Sequence, residues 1–272
     1  MRKQITLFAM LMVCAAVSLS GCKKDKDVDL TGIHTTAAET TPVAETMAQE
    51  TTAAIEIETE AETTKDGADA SEALSVRSKI ATEKTGKVSI EYPILSNLRD
   101  DKTAEKVNGL IKEHATKLIS DFELDSEKDN VTIACDVISL DRSKAVLEFT
   151  GSMMADGAAY PTGLYYTMTV DLSKGILQGL SDYADAYTMA GYILSDDCII
   201  TKAADKQAVK EYLETLEVET LWETLKNCDF TSGSDAFPQA FSYVNEGIVY
   251  ISVPVPHPLG DYIIVEFHPE GK

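Results

Sequence analysis

Histidines, cysteines and paired carboxylates are the residue types that carry catalysis and metal binding, and their spacing here favours neither. The four histidines and five cysteines show no C-x-x-C or other ligand spacing, so a zinc site is not expected. No catalytic serine, zinc-protease or phosphate-loop motif is present. The pair Asp196-Asp197 lacks the alternating ligands of a calcium loop and stands in a chain with 45 acidic residues. We therefore expect no enzyme activity, no metal and no cofactor.

The sequence offers more support for a binding surface, built from three tyrosines and one histidine. Tyr160, Tyr165 and Tyr166 follow a glycine- and alanine-rich loop, and His257 lies in the proline-rich loop from Pro254 to Gly260. Aromatic side chains on such loops stack on sugar rings or anchor a protein partner. The alternative is that the strand tyrosines pack on a helix and that His257 is an ordinary surface residue. These four residues form the candidate ligand-binding set.

Cys22 is predicted to carry lipid. A short positive start precedes an uncharged apolar run from Ile5 to Val17, which is too short to span a membrane and fits a signal peptide. Leu19-Ser20-Gly21-Cys22 resembles the lipobox of bacterial lipoproteins, in which the cysteine receives diacylglycerol. We expect residues 1–21 to be a lipoprotein signal peptide, and the mature chain to be held by acyl chains at the outer face of the cell membrane. An ordinary signal peptide that carries a cysteine is the alternative.

Net charge indicates the kind of partner, and composition divides the chain after the signal peptide into a tether and a folded domain. The formal net charge of −21 repels nucleic acid and favours a cationic partner, although acidity also serves solubility alone. Residues 22–77 are rich in Thr, Ala and Glu and poor in large apolar residues, which predicts a lipid-anchored disordered tether. A marginal helix around Glu45 to Glu62 is the alternative. Residues 78–272 are predicted to form the folded domain.

The folded region alternates between the two-residue period of strands and the longer period of helices. Strands are predicted at 87–93, 131–140, 145–154, 164–172, 240–244, 248–253 and 262–267. A long amphipathic helix capped by Asp101 runs to Phe122, and shorter helices are predicted at 187–194, 205–216 and 218–226. The fold class is therefore α+β: an antiparallel sheet packed against one long helix, with a helical insertion.

Three cysteines remain in the folded region, namely Cys135, Cys198 and Cys228. In an oxidising compartment they permit one disulfide and one free thiol, and three reduced, partly buried cysteines are an equal alternative. The spacing does not decide between these arrangements.

The order of elements resembles the extracytoplasmic domain shared by lysozyme-sensing anti-sigma factors and the leading module of some peptidoglycan deacetylases. The resemblance covers residues 87–269. The residues that carry it are Ile90-Glu91-Tyr92-Pro93, Val107-Asn108, Ile111, Tyr160-Pro161, Tyr165-Tyr166, Val170-Asp171-Leu172, Gly175, Leu180-Ser181-Asp182, Phe241, Asn245-Glu246-Gly247 and the loop from Pro254 to Gly260.

The resemblance implies an envelope binding or sensing module. We find no sigma-binding segment, transmembrane helix or deacetylase domain in this sequence, so we expect only the module itself to carry over. Its expected ligand is a cationic envelope-directed protein such as lysozyme, or a peptidoglycan fragment. The alternative is a structural or accessory lipoprotein that assists another membrane complex. The type of bacterial envelope and the oligomeric state stay open.

Overall fold

A computed structural model describes residues 75–231, 233 and 236–269. The predicted signal peptide (1–21), the lipid site Cys22 and all but the end of the predicted tether (22–77) lie outside the described residues. Within the described part of the chain, no helix combines the length and apolar character that crossing a membrane requires.

The first half of the fold is a six-stranded sheet, in which the strands lie in chain order. The β2–β3 pair is parallel, because helix α1 connects these strands, and the other neighbours are antiparallel. The strands are β1 (Arg77–Thr85), β2 (Val88–Ser96), β3 (Asn130–Leu140), β4 (Lys144–Met154), β5 (Thr162–Asp171) and β6 (Ile176–Gln178).

Helix α1 (Asp101–Asp121) packs on one face of this sheet. It begins after Asp100, whose Oδ1 accepts a hydrogen bond from the Thr103 amide at 2.8 Å, so the cap lies one residue before the Asp101 predicted from the sequence. Its buried residues recur every three to four positions and enter the first core with alternate residues of β2 to β5. They are Val107, Ile111, Ala115 and Leu118.

The second half is a four-stranded antiparallel sheet covered by three short helices. The strand order is β7-β10-β9-β8, with β7 (Ile199–Lys202), β8 (Phe241–Asn245), β9 (Ile248–Pro254) and β10 (Tyr262–Phe267). The helices are α2 (Ala186–Ile193), α3 (Lys206–Leu213) and α4 (Val218–Lys226), and their apolar faces form a second core with this sheet.

The α+β class predicted from the sequence is confirmed, but the expected single antiparallel sheet is wrong in two respects. The strands divide between two sheets, and one pair is parallel. Alternating hydrophobicity shows which face of a strand is buried and leaves its partner strand undetermined. The final strand, β10, lies inside the second sheet between β7 and β9 and does not close the first.

Cys135, Cys198 and Cys228 are all free thiols and all buried. Burial raises the pKa of Cys135 to about 12 and that of Cys198 to about 11, and it also raises the pKa of Cys228. Of the alternatives left open by the sequence, the structure has the three reduced cysteines. These thiols are poor nucleophiles, since the thiolate is the reactive form.

Candidate functional site

Two loops that are almost one hundred residues apart in sequence meet at the predicted ligand-binding residues. Tyr160 lies just before β5, and His257 begins a short 3₁₀ turn, His257–Leu259, between β9 and β10. The Tyr160 and His257 rings lie 6.1 Å apart between centroids, at an interplanar angle of 28°. Tyr160 is 70% exposed, so one broad aromatic face is available to a partner.

Asp261 fixes these two loops to each other. Its Oδ2 accepts a hydrogen bond from the Gly163 amide at 2.6 Å, and its Oδ1 lies 2.9 Å from Nδ1 of His257. The backbone of Asp261 is left-handed, with φ of 70°, a conformation that aspartate tolerates better than most residues. The His257 imidazole is thus oriented by a carboxylate, while half of its side chain stays exposed.

Tyr165 continues the aromatic path from the loops onto the sheets. It is 8% exposed and stacks on Tyr262 of β10 at 4.9 Å between ring centroids. The Lys202 ammonium lies over both rings, 5.0 Å from the Tyr262 centroid and 5.8 Å from the Tyr165 centroid, and donates to the Tyr262 hydroxyl at 2.9 Å. We call Tyr160, His257, Tyr165 and Tyr262 the aromatic surface.

Tyr166 points into the first core, because successive strand residues face opposite sides of a sheet. It is 1% exposed and stacks on Phe149 at 4.6 Å, and its hydroxyl donates to the Ala115 carbonyl of α1 at 2.8 Å. This is the packing on the helix that the sequence left open as an alternative. Of the four predicted residues, the structure brings Tyr160, Tyr165 and His257 to one region and places Tyr166 in the interior.

A buried polar cluster that the sequence did not suggest surrounds Asp229 in the second half of the fold. The Asp229 carboxylate accepts hydrogen bonds from the amides of Leu180 at 2.8 Å and Ser242 at 2.7 Å, and from the Ser242 hydroxyl. The Tyr183 hydroxyl contacts the same Ser242 hydroxyl, and the Cys228 thiol lies 3.4 Å from Asp229 Oδ2. Burial raises the pKa of Asp229 to about 6, and the Ser242 and Leu180 donors oppose this rise.

The aromatic surface and the Asp229 cluster differ in their access to a ligand. A carboxylate that orients a histidine supplies two of the three groups of a hydrolase triad, and among the described residues no serine or cysteine hydrogen-bonds to His257. Asp229 is fully enclosed, so substrate has no access to it. The described residues also contain no group of three His, Cys, Asp or Glu side chains that could hold a metal ion. The aromatic surface can stack on a ring or anchor a side chain.

Comparison with solved structures finds distant neighbours, which include two proteins of the DUF3298 family. A DUF3298 family protein from Pseudomonas aeruginosa PAO1 is 8% identical, with a TM-score of 0.35 over 66% of this chain and 82% of that chain. A member of the DUF3298 family from Bacteroides fragilis is 15% identical, with a TM-score of 0.33 over 72% of this chain and 90% of the other. No family model and no curated protein matches the sequence.

Proposed function

We propose that this chain is a lipoprotein of the outer face of the cell membrane, where it acts as a non-catalytic binding or sensing module for an envelope protein or a cell-wall glycan. The supporting observation is the exposed Tyr160 ring beside His257, on loops held together by Asp261. Loops fixed in this way lose little conformational entropy when a ligand binds.

The chemistry of the aromatic surface is compatible with both ligand classes. A tyrosine face stacks on the apolar face of a sugar ring, and an exposed aromatic side chain also anchors protein interfaces. The net charge of −21 favours a cationic protein through long-range attraction, and the family resemblance makes lysozyme the first protein to test. A soluble peptidoglycan fragment is the corresponding glycan ligand.

The decisive experiment is calorimetric titration of the purified chain, expressed from residue 23 without lipid, with lysozyme and in parallel with soluble peptidoglycan fragments. We expect saturable binding of one ligand that survives about 150 mM salt, where weak surface attraction is screened. Tyr160→Ala should weaken that binding about tenfold or more, which is the usual effect of removing an interface anchor.

Tyr187→Ala is the matched control. Tyr187 is also an exposed tyrosine, at 51%, but it lies on α2 and contacts Trp222. Equal effects of the two substitutions would mean that Tyr160 has no special role. If neither ligand binds, the binding proposal fails, and co-purification of a membrane partner would then favour the accessory-lipoprotein alternative.

Lipid attachment is tested separately in a bacterial host. Cys22→Ala removes the thiol that would be acylated, so the exported protein should move from the membrane fraction to the soluble fraction. Metabolic labelling with a fatty acid should mark the unchanged chain and leave the variant unlabelled. Labelling of both proteins would contradict attachment at Cys22.

A further inference from the structure

A second aromatic feature crosses the smaller sheet from strand to strand. Tyr243 of β8 is paired with Tyr250 of β9, and Tyr250 is paired with Glu266 of β10. Paired residues on neighbouring strands lie on the same face of a sheet. The two tyrosine rings are nearly parallel, at 9°, with centroids 4.7 Å apart. Tyr243 is 8% exposed, whereas Tyr250 is only partly buried and offers its side chain to solvent.

Two carboxylates act on this tyrosine pair: Glu266 is paired with Tyr250 in the sheet, and the charge of Glu148 acts on Tyr243. Burial and then the Glu148 charge raise the pKa of Tyr243, and burial followed by the charges of Glu266 and Glu246 raises the pKa of Tyr250. Glu148 is partly exposed and makes no ion pair within the described part of the chain, while Glu266 contacts His268 at 3.2 Å. The local potential is therefore negative around two stacked rings.

The Tyr165 hydroxyl lies in the same region and is buried. Burial and then the Glu148 charge raise the pKa of Tyr165, and Tyr243 has a smaller effect in the same direction. The Glu148 charge therefore acts on Tyr165 as well as on Tyr243.

The same surface already holds one cation of the chain itself. Lys202 places its ammonium over the Tyr262 and Tyr165 rings, so tyrosines of this region accept a positive charge in the folded protein. Tyr243 and Tyr250 have the same ring chemistry, and Glu266 is paired with Tyr250 across the sheet. They therefore suit a cation supplied from outside.

We propose that Glu148, Tyr243, Tyr250 and Glu266, called here the tyrosine–carboxylate row, bind a basic side chain of a cationic protein, with an arginine guanidinium stacked on Tyr250. The planar guanidinium stacks on an aromatic ring and directs its fork of N–H donors at carboxylates, which the ammonium of lysine does less well. This inference rests on the proposed function, because it assigns the protein ligand of that function to one surface. The charge of the whole chain, −21, steers such a partner toward it.

The test is calorimetric titration of the purified chain with a capped tetra-arginine peptide and with the matching tetra-citrulline peptide. Citrulline keeps the shape of the side chain and removes its charge. We expect binding of the arginine peptide only. Glu148→Gln should weaken it about fivefold, the size of a partly desolvated charge interaction. Glu113→Gln is the control, since it removes one exposed carboxylate from α1, on the opposite face of the first sheet.

Two variants of Tyr250 separate stacking from charge. Tyr250→Phe keeps the ring and should bind within about twofold of the unchanged chain, whereas Tyr250→Ala should lose most of the affinity. Equal weakening by Glu148→Gln and Glu113→Gln would overturn the proposal, because attraction would then follow net charge alone. Equal binding of the citrulline peptide would overturn it as well.

The outcomes also distinguish this inference from the proposed function. If the tyrosine–carboxylate row binds the arginine peptide as described but neither lysozyme nor peptidoglycan fragments bind the chain, the proposed function is contradicted and the proposed binding site is supported. If lysozyme binds through Tyr160 and is unaffected by Glu148→Gln, the proposed function stands and the row fails.

Discussion

Asp229 is a carboxyl group that is enclosed by the fold and has no cationic partner among the described residues, so its protonation contributes to stability. Burial raises its pKa from the usual 3.8 to about 6. The folded state thus binds the proton more tightly than the unfolded chain does. The contribution of this group is fully present below about pH 4 and is lost as pH rises to about 6, by about 3 kcal/mol.

We expect Asp229→Asn to remove most of this decline, measured as the free energy of urea unfolding between about pH 4 and pH 6. The substitution should also destabilise the fold. The carboxylate accepts a hydrogen bond from a backbone amide at each of its two oxygens, and the side-chain NH2 of asparagine would face one of these donors. Asn tolerates the left-handed backbone of this position, φ of 64°. An unchanged slope in Asp229→Asn would assign the pH dependence to another group.

Ser242→Ala provides the converse variant. It removes the hydroxyl that donates to the Asp229 carboxylate and leaves the carboxyl itself in place. Because that donor opposes the rise in the pKa of Asp229, its loss should raise this pKa further and extend the decline in unfolding free energy to higher pH. The same urea titrations measure the effect, and a decline that shifts to lower pH would contradict the assignment.

Asp261 is the residue that relates the two ligand-binding loops. Asp261→Ala removes the acceptor of the Gly163 amide hydrogen bond and the partner of His257. It also places alanine, which has no polar side chain to hydrogen-bond locally, at a left-handed φ of 70°. We expect a loss of about 1–3 kcal/mol in the free energy of urea unfolding. Asp261→Asn keeps an acceptor and the backbone preference, and should lose less. If the alanine variant were as stable as the unchanged chain, the tie between the loops would be unimportant.

At the level of elements, two glycines differ in the space that a side chain would have. A Cβ at Gly151 of β4 would lie 1.9 Å from the Thr132 carbonyl oxygen of β3, so Gly151→Ala must separate two central strands. A Cβ at Gly109, on the exposed side of α1, would meet no atom of another element within 4 Å. Urea unfolding should show Gly151→Ala less stable by about 2 kcal/mol or more, and Gly109→Ala more stable by up to about 1 kcal/mol. Equal effects would contradict the close strand approach.

Elements with one apolar face were predictable, and elements without one were not. The sequence predicts β2 to β5 and α1 to α4 because each buries a regular set of side chains. Strand β1 was not predicted because its residues are mostly exposed at a sheet edge. Strands β6 and β7 were not predicted because they have only three and four residues. The pairing of strands into two sheets depends on contacts distant in sequence, which a local pattern does not contain.

The candidate site was predictable to a similar degree. Loop composition pointed to Tyr160 and His257, and the structure places these two rings together. Alternation within β5 distinguishes Tyr165 from Tyr166, since Leu164, Met168 and Val170 share the inward face with Tyr166. Asp229 has no such signal, because one buried carboxylate among 45 acidic residues becomes visible only when its hydrogen-bond donors are assembled.

At the scale of the whole described fold, two hydrophobic cores are joined through β8. Phe241 of this strand packs in the first core although β8 belongs to the second sheet. The next residue, Ser242, accepts a hydrogen bond from Thr167 of β5 at 3.0 Å through its carbonyl and donates to Asp229. Separating the cores would therefore expose apolar surface and leave buried polar groups without partners, so we expect them to unfold together.

The single tryptophan, Trp222 of α4, makes this expectation measurable, because it packs against the second core. Its fluorescence follows the second core during urea unfolding, while hydrogen exchange of β3 and β4 follows the first. We expect the two midpoints to coincide in the unchanged chain. In Asp229→Asn the midpoints should separate, with Trp222 changing at lower urea, since the hydrogen bonds that Asp229 accepts come from Leu180 of the second core and Ser242 of the second sheet. Separate midpoints in the unchanged chain would instead show two independent folding units that share one strand.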